Sequence, residues 1–352
     1  MRVLTRSGAL FAVTLAIALA MALVAEVAAE EQPGALSATV QPLKLSTALG
    51  PAYPQGKAGE IWATLIRERS GGRLAVTHFP GATLSSRDPA REFGALRDRT
   101  CELSVGSALG WSAQVPQLNV LALPWLAPGE AELDALLDGG VGKRLATILE
   151  AAGVVPVAWS ANGFIELASR MPVRKPADLA GLQVRTQSSP LILETLAALG
   201  ARPLAMSVAN ARAALENGQL DGQETSVPAF SASRLYAGPL THLLLWHAHA
   251  DVLIFAVNRS VWDAWSETDR KLVRDAAAEA SKQALAMGER LAGEDALAKL
   301  GAQGAVLNRL TPAGREAFRE AARAVYDRWT PIIGAELVEA AEAQLSAAQT
   351  PR

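Results

Sequence analysis

Few groups in this sequence have types and spacing suited to chemistry. His247, His249 and Asp251 fall at i, i+2 and i+4, a spacing that puts three ligating side chains on one face of a strand, as some metal sites require. The same face also carries Leu243 and Leu245, and no further nitrogen or sulfur ligand is close in sequence. The three therefore read as polar residues at a strand end near a cleft, with a cation left as an open alternative. Glu216, Asp221 and Glu224 supply carboxylates whose separation nothing fixes, and they read as solvated loop acids. Cys101 is the single cysteine and sits in the strand-like run CELSVGS. It reads as a buried, inert thiol. One cysteine excludes a disulfide framework and any cysteine-built zinc or iron–sulfur centre. A G-x-S-x-G elbow is absent, since Gly106-Ser107 runs on into Ala-Leu-Gly, and there is no P-loop or G-x-G-x-x-G. No catalytic residue, metal or cofactor is expected.

What remains is a set of single polar and aromatic side chains that a fold must bring together. The periodicity predicts strands at 43–49, 73–80, 101–107, 154–160, 164–170 and 183–186, with an extended run at 118–126. Between them lie helical patterns at 55–69, 88–99, 129–152, 189–199 and 207–217, and a short Pro-started helix at 176–181. HLLLWHAHA and VLIFAVN read as two further strands, and the last hundred residues as helices over about 260–300 and 311–347. Strands alternating with helices imply an α/β protein with mainly parallel sheets. Ligands of such proteins bind beyond the carboxyl ends of strands, here in a cleft between domains.

The chain has 352 residues, half of them apolar, enough for two domains with real cores. Its 33 basic and 35 acidic residues give no bulk reason to bind nucleic acid. Arg2 and Arg6 precede an apolar run over 8–25, followed by Val27, Ala28 and Ala29. That order predicts a secretory signal peptide at 1–29 and an exported, periplasmic protein. The alternative is an uncleaved anchor, since about 18 apolar residues is the lower limit for a span. Residues 30–41 read as a flexible leader.

One stretch is more specific. Met171 opens MPVRKPADLAGLQVRTQSSPLILETLAALGARPLAMSVANARAALENGQLDGQET, which carries P-x-D-L-x-G-L-x-x-R, A-L-G-A-x-P and A-L-x-x-G-x-x-D-G-Q-E in order. SGGRLAVTHFPGATL and LALPWL upstream, and VLIFAVNRSVWDAWSETDRKLVRDAAAEA downstream, extend the pattern over about 43–330. The chain thereby resembles the solute-binding proteins of tripartite ATP-independent periplasmic (TRAP) transporters, the DctP-like family. The resemblance implies a two-domain periplasmic-binding-protein (Venus-flytrap) fold with mixed sheets and long C-terminal helices. Domain I would comprise 42–160 plus about 245–265, domain II 161–244 plus about 252–258, with helices at 266–347 packing across both.

The resemblance also implies a small organic acid as ligand, TRAP membrane permease subunits as partners and no enzyme activity. Separately, a monomer is expected rather than a dimer, though the long C-terminal helices could serve a dimer. The family's ligand-clamping arginine falls on Arg185, and a guanidinium fork matches a carboxylate in both charge and geometry. Ser107, Trp111, Asn162, Ser188 and Thr225 fall on further contact positions, with Phe164 and Trp246 as aromatic wall candidates. Two departures stand out. Ile165 occupies a place where many relatives carry a second arginine, and Thr225 one where many carry asparagine. The pocket is thus expected to be less cationic and more apolar, suiting one carboxylate on an apolar or lightly oxygenated body such as an aromatic, branched or short hydroxy or keto acid. A binding protein serving a receptor, or an exported enzyme, are the alternative readings.

Overall fold

The computed structural model describes residues 40–349 except 128, 187, 188 and 207. The expected signal peptide and most of the leader lie outside the described residues, as does Ser188. In chain order the strands are β1 (Gln41–Thr47), β2 (Leu74–Phe79), β3 (Leu103–Ser107), β4 (Val154–Ser169), β5 (Gln183–Thr186), β6 (Arg202–Ala205), β7 (Gly222–Thr225), β8 (His242–Asn258) and β9 (Val306–Arg309). The helices of the first half are α1 (Pro54–Arg69), α2 (Glu92–Arg97), α3 (Ala108–Trp111), α4 (Glu130–Asp138) and α5 (Gly140–Ala151). The middle holds α6 (Pro190–Ala198), α7 (Val208–Glu216) and α8 (Val227–Ala232). The chain finishes with α9 (Arg259–Ala264), α10 (Glu267–Ala292), α11 (Glu294–Ala302), α12 (Pro312–Ile333) and α13 (Ala335–Gln349).

All nine strands join one mixed sheet in the order β2-β1-β3-β8-β4-β7-β5-β6, with β9 on β8. The parallel pairs are β1–β2, β1–β3, β5–β6, β5–β7 and β8–β9. The antiparallel pairs β3–β8, β4–β8 and β4–β7 all involve the two longest strands. These two were expected as four short strands. The expected break at Asn162-Gly163 turns out to be a bulge, where Gly163 has φ 79° and the β4–β8 register shifts between Ala161 and Phe164. The one at Asp251 is no break, and a second irregularity, with His247 at φ 51°, lies inside the strand expected over HLLLWHAHA. A bulge absorbs an extra residue and bends a strand without ending it.

That continuity shapes the molecule. β3 ends at Ser107 opposite Leu253, while β7, running the other way, ends at Thr225 opposite Glu166. Between these ends β4 and β8 pair with each other, as a two-stranded ribbon joining two halves of the sheet. The carboxyl ends of β3 and β7 therefore face one another across the ribbon.

Three apolar cores hold the layers. On one half, Trp62 and Ile66 of α1 and Val273, Ala276 and Ala280 of α10 pack on Leu45, Val105 and Phe255. Trp62 meets Phe255 edge-on at 5.4 Å and donates its indole N–H to Val273 O at 3.1 Å. The second and largest core joins α2 to α6, α12 and α13 around Trp111, Trp125, Trp246 and Phe318. The third places α7, α8 and α11 over Leu243 and Leu245.

Other expectations change in detail. The run at 118–126 is a 3-10 helix over Pro116–Ala122 rather than extended chain. Pro116 starts it, and a short apolar run fits a buried helix as well as a strand. The helix at 129–152 is two helices meeting at Gly139, and the one at 260–300 is three. β9 lies where no strand was expected, paired to β8 through Leu243 and Leu307. Among the described residues no helix is long and apolar enough to cross a membrane.

Candidate ligand-binding site

Arg185 lies on β5 with its neighbour Val184 sealed in the apolar core, an alternation that fixes the arginine on the opposite face. It is 6% exposed, and its Nε donates to Met206 O at 3.0 Å. No carboxylate among the described residues forms an ion pair with it, and its terminal nitrogens have no hydrogen-bond partner there. Burial lowers its pKa, partly offset by the nearby charge of Glu224. Glu224 is itself fully buried. Its Oε2 accepts from the Thr186 hydroxyl, Oε1 has no partner, and burial pushes its carboxyl up to about 8. With only Nε committed, to Met206 O, the buried guanidinium is poorly compensated among the described residues, which favours an incoming anion.

Across the ribbon, Ser107 and Asn162 meet at Asp251. Ser107 Oγ lies 2.8 and 2.9 Å from the two carboxylate oxygens, and Asn162 Nδ2 donates to Oδ2 at 2.9 Å. Ser107 also caps α3 by accepting Gly110 N–H at 3.1 Å. Thr225, 6% exposed, donates to Ser226 O at 3.2 Å at the end of β7.

A cavity of about 460 Å³ opens on the ribbon. Its floor includes residues 161–164, Glu166 and His247, and its walls come from Pro54, residues 226–228, and Gly288 and Glu289 of α10. Phe164 and His247 stack at 4.4 Å with ring planes 7° apart. Below them Glu166 is 2% exposed and takes Trp246 N–H at 2.8 Å, His247 N–H at 3.2 Å and His247 Nε2 at 3.2 Å. Burial raises Glu166 to about 8 despite those donors. Arg185 and Ser107 are not in the lining of this cavity, which begins one residue past Thr225.

The candidate residues thus fall into groups. Asn162 and Phe164 line the cavity, while Arg185, Ser107 and Thr225 lie at the strand ends around the ribbon. Trp111 and Trp246 are fully buried in the second core. Trp111 packs edge-on to Phe93 at 5.4 Å beneath Gly106, and Trp246 donates to Ile165 O at 2.9 Å between Trp125 and Phe318. The triplet at 247, 249 and 251 does not converge. His247 contacts Glu166, His249 Nδ1 lies 2.7 Å from Ala122 O, and Asp251 takes Ser107 and Asn162. Burial holds His249 down at about 4, so its ring is neutral. Among the described residues no group of three such side chains could hold a metal. Glu166 and Asp251 were missed as organising acids. The available signal was that each is a lone carboxylate inside an apolar strand, a residue that must be satisfied where it is buried.

A sheet whose strand ends face each other over a crossing ribbon, with a buried cation at one side, defines a class of two-lobed cleft proteins that capture small anions. Residues 45–331 match the bacterial extracellular solute-binding protein family 7, DctP, and the chain belongs to that family. A TRAP periplasmic solute-binding protein of Ralstonia eutropha H16, solved with bound (S)-2-hydroxy-2-methyl-3-oxobutanoate ((S)-2-acetolactate), is 44% identical. The match covers 87% of this chain and 99% of that one, with a TM-score of 0.84. The C4-dicarboxylate-binding periplasmic protein DctP of Rhodobacter capsulatus is 27% identical over 86% of this chain and 90% of its own length. The uncharacterized protein y4mM of Sinorhizobium fredii is 32% identical over 57% of this chain, a match spanning 38% of that protein. These are solute-binding proteins or uncharacterized relatives, and the fold is the two-domain one of TRAP solute-binding proteins.

Proposed function

We propose that the chain captures a short monocarboxylic acid bearing a hydroxyl or keto group in the periplasm and delivers it to a TRAP permease. The observation that carries this reading is Arg185: a buried guanidinium with its terminal nitrogens uncommitted and no ion-pair partner among the described residues. The ligand carboxylate would complete that charge pair, with two parallel N–H···O bonds setting its direction. The lobes would hinge on the β4–β8 ribbon, the ligand favouring closure by its greater affinity for the closed form.

The preference for one carboxylate rests on the resemblance, which puts Ile165 at a position expected to carry a second arginine in many members; here an apolar side chain, 6% exposed, supplies no second charge. The 44% identity to a protein solved with (S)-2-acetolactate points the same way, since that compound carries one carboxylate, one hydroxyl and one keto group. A thermal-shift comparison of (S)-2-acetolactate with succinate tests the reading. Ligand at about 100 times its Kd stabilises by about 2.7 kcal/mol. The expected result is a shift with acetolactate and none with succinate at equal concentration; a shift with succinate alone would overturn the monocarboxylate assignment.

A further inference from the structure

Asp251 lies buried where β3, β4 and β8 meet, and the described groups bonded to its carboxylate are all donors. The Ser107 hydroxyl spans both oxygens, Leu109 N–H reaches Oδ1 at 3.2 Å, and Asn162 Nδ2 reaches Oδ2 at 2.9 Å. Leu109 N–H can only donate, and the Ser107 oxygen already accepts Gly110 N–H, which directs its proton to Asp251. The surroundings therefore suit a carboxylate acting purely as acceptor. Of these groups, Asn162 alone lines the cavity.

A primary amide has two N–H donors on one side and a carbonyl on the other, and a half-turn of its plane exchanges them. An acceptor-only partner removes that ambiguity, because only the NH2 edge can face it. We propose that Asp251 is a positioning residue of the ligand site: by holding one N–H of Asn162 it fixes the order in which the remaining N–H and Oδ1 are offered to the cavity. This rests on the ligand reading above and sharpens it. A fixed donor–acceptor edge matches a keto oxygen and a hydroxyl on adjacent carbons, and it discriminates between acids that differ only in where the hydroxyl lies.

The test is a double-mutant cycle on the mature protein, with (S)-2-acetolactate as probe and calorimetric Kd as readout. Asp251→Asn and Asn162→Ala are each expected to weaken binding by about tenfold or more, and the double variant to be no weaker than Asn162→Ala. Independent losses that multiply in the double variant, or an unchanged Kd in Asp251→Asn, overturn the proposal. A ligand-free readout accompanies it. Of the side-chain amide protons of Asn162, assigned by their loss in Asn162→Ala, one should be protected from exchange. An amide with neither proton protected overturns the proposal even where Asp251→Asn does not fold. If the wild type does not bind acetolactate, the ligand reading fails and the amide resonances alone decide the role of Asp251.

Discussion

At the scale of single residues, the molecule is marked by carboxylates placed where water cannot reach them. Glu92 is 1% exposed and accepts from Ser46 Oγ at 3.0 Å, and burial pushes it up to about 8, as it does Glu166 and Glu224. An acid whose folded pKa lies above its unfolded value holds a proton in the native state that the unfolded chain has released. Its contribution therefore favours folding at low pH and is lost as pH rises from the ordinary carboxylate range, near 4.5, towards 8. Glu92→Gln removes this linkage while keeping the shape. The variant should unfold at a higher temperature than wild type at pH 8, with the gap shrinking as pH falls towards 5. Melting curves across that range check it, and a gap independent of pH would show that Glu92 is not protonated in the fold.

At the scale of elements, the local pieces were legible in the sequence and their joins were not. β1, α1, β2, β3, β5, α6 and α7 fall close to where periodicity puts them, because each has a clear apolar face and a Gly or Pro at its end. The ribbon escaped because Asn162-Gly163 and Asp251 interrupt apolar runs, and only pairing with a partner strand shows that β4 and β8 continue through them. Arg185 was found through a motif that physical reasoning alone would not have singled out, while the roles of Asp251 and Glu166 depend on partners some 80 to 140 residues away. Trp111 illustrates the opposite problem, since tryptophan serves cores and pockets alike. Its ring fills the space beside Gly106, where an added Cβ would fall 2.0 Å from ring carbons. Gly106→Ala must therefore displace Trp111 from its place against Phe93 and should destabilise the fold by about 1–3 kcal/mol or more. Urea unfolding measures this directly; an unchanged midpoint would mean that the ring has room to move.

At the scale of the whole molecule, charge decides what kind of anion receptor this is. The chain carries a formal net charge of −2, so no general positive field draws a carboxylate in. On the proposed function, capture falls to local groups, and the candidate is Arg185, a buried cation without an ion-pair partner among the described residues. A surface-steered receptor loses affinity gradually as charges are removed, whereas a receptor built on one desolvated cation loses it at a single position. Truncating one member of a buried charge pair costs about 2–5 kcal/mol, at least about 30-fold in Kd. Lysine keeps the charge but not the fork, so it should not rescue binding. The most direct measurement is calorimetric titration of (S)-2-acetolactate into wild type, Arg185→Ala and Arg185→Lys. Saturable binding to wild type is expected, with at least about 30-fold weaker binding to both variants. Binding to Arg185→Ala with wild-type affinity would contradict it.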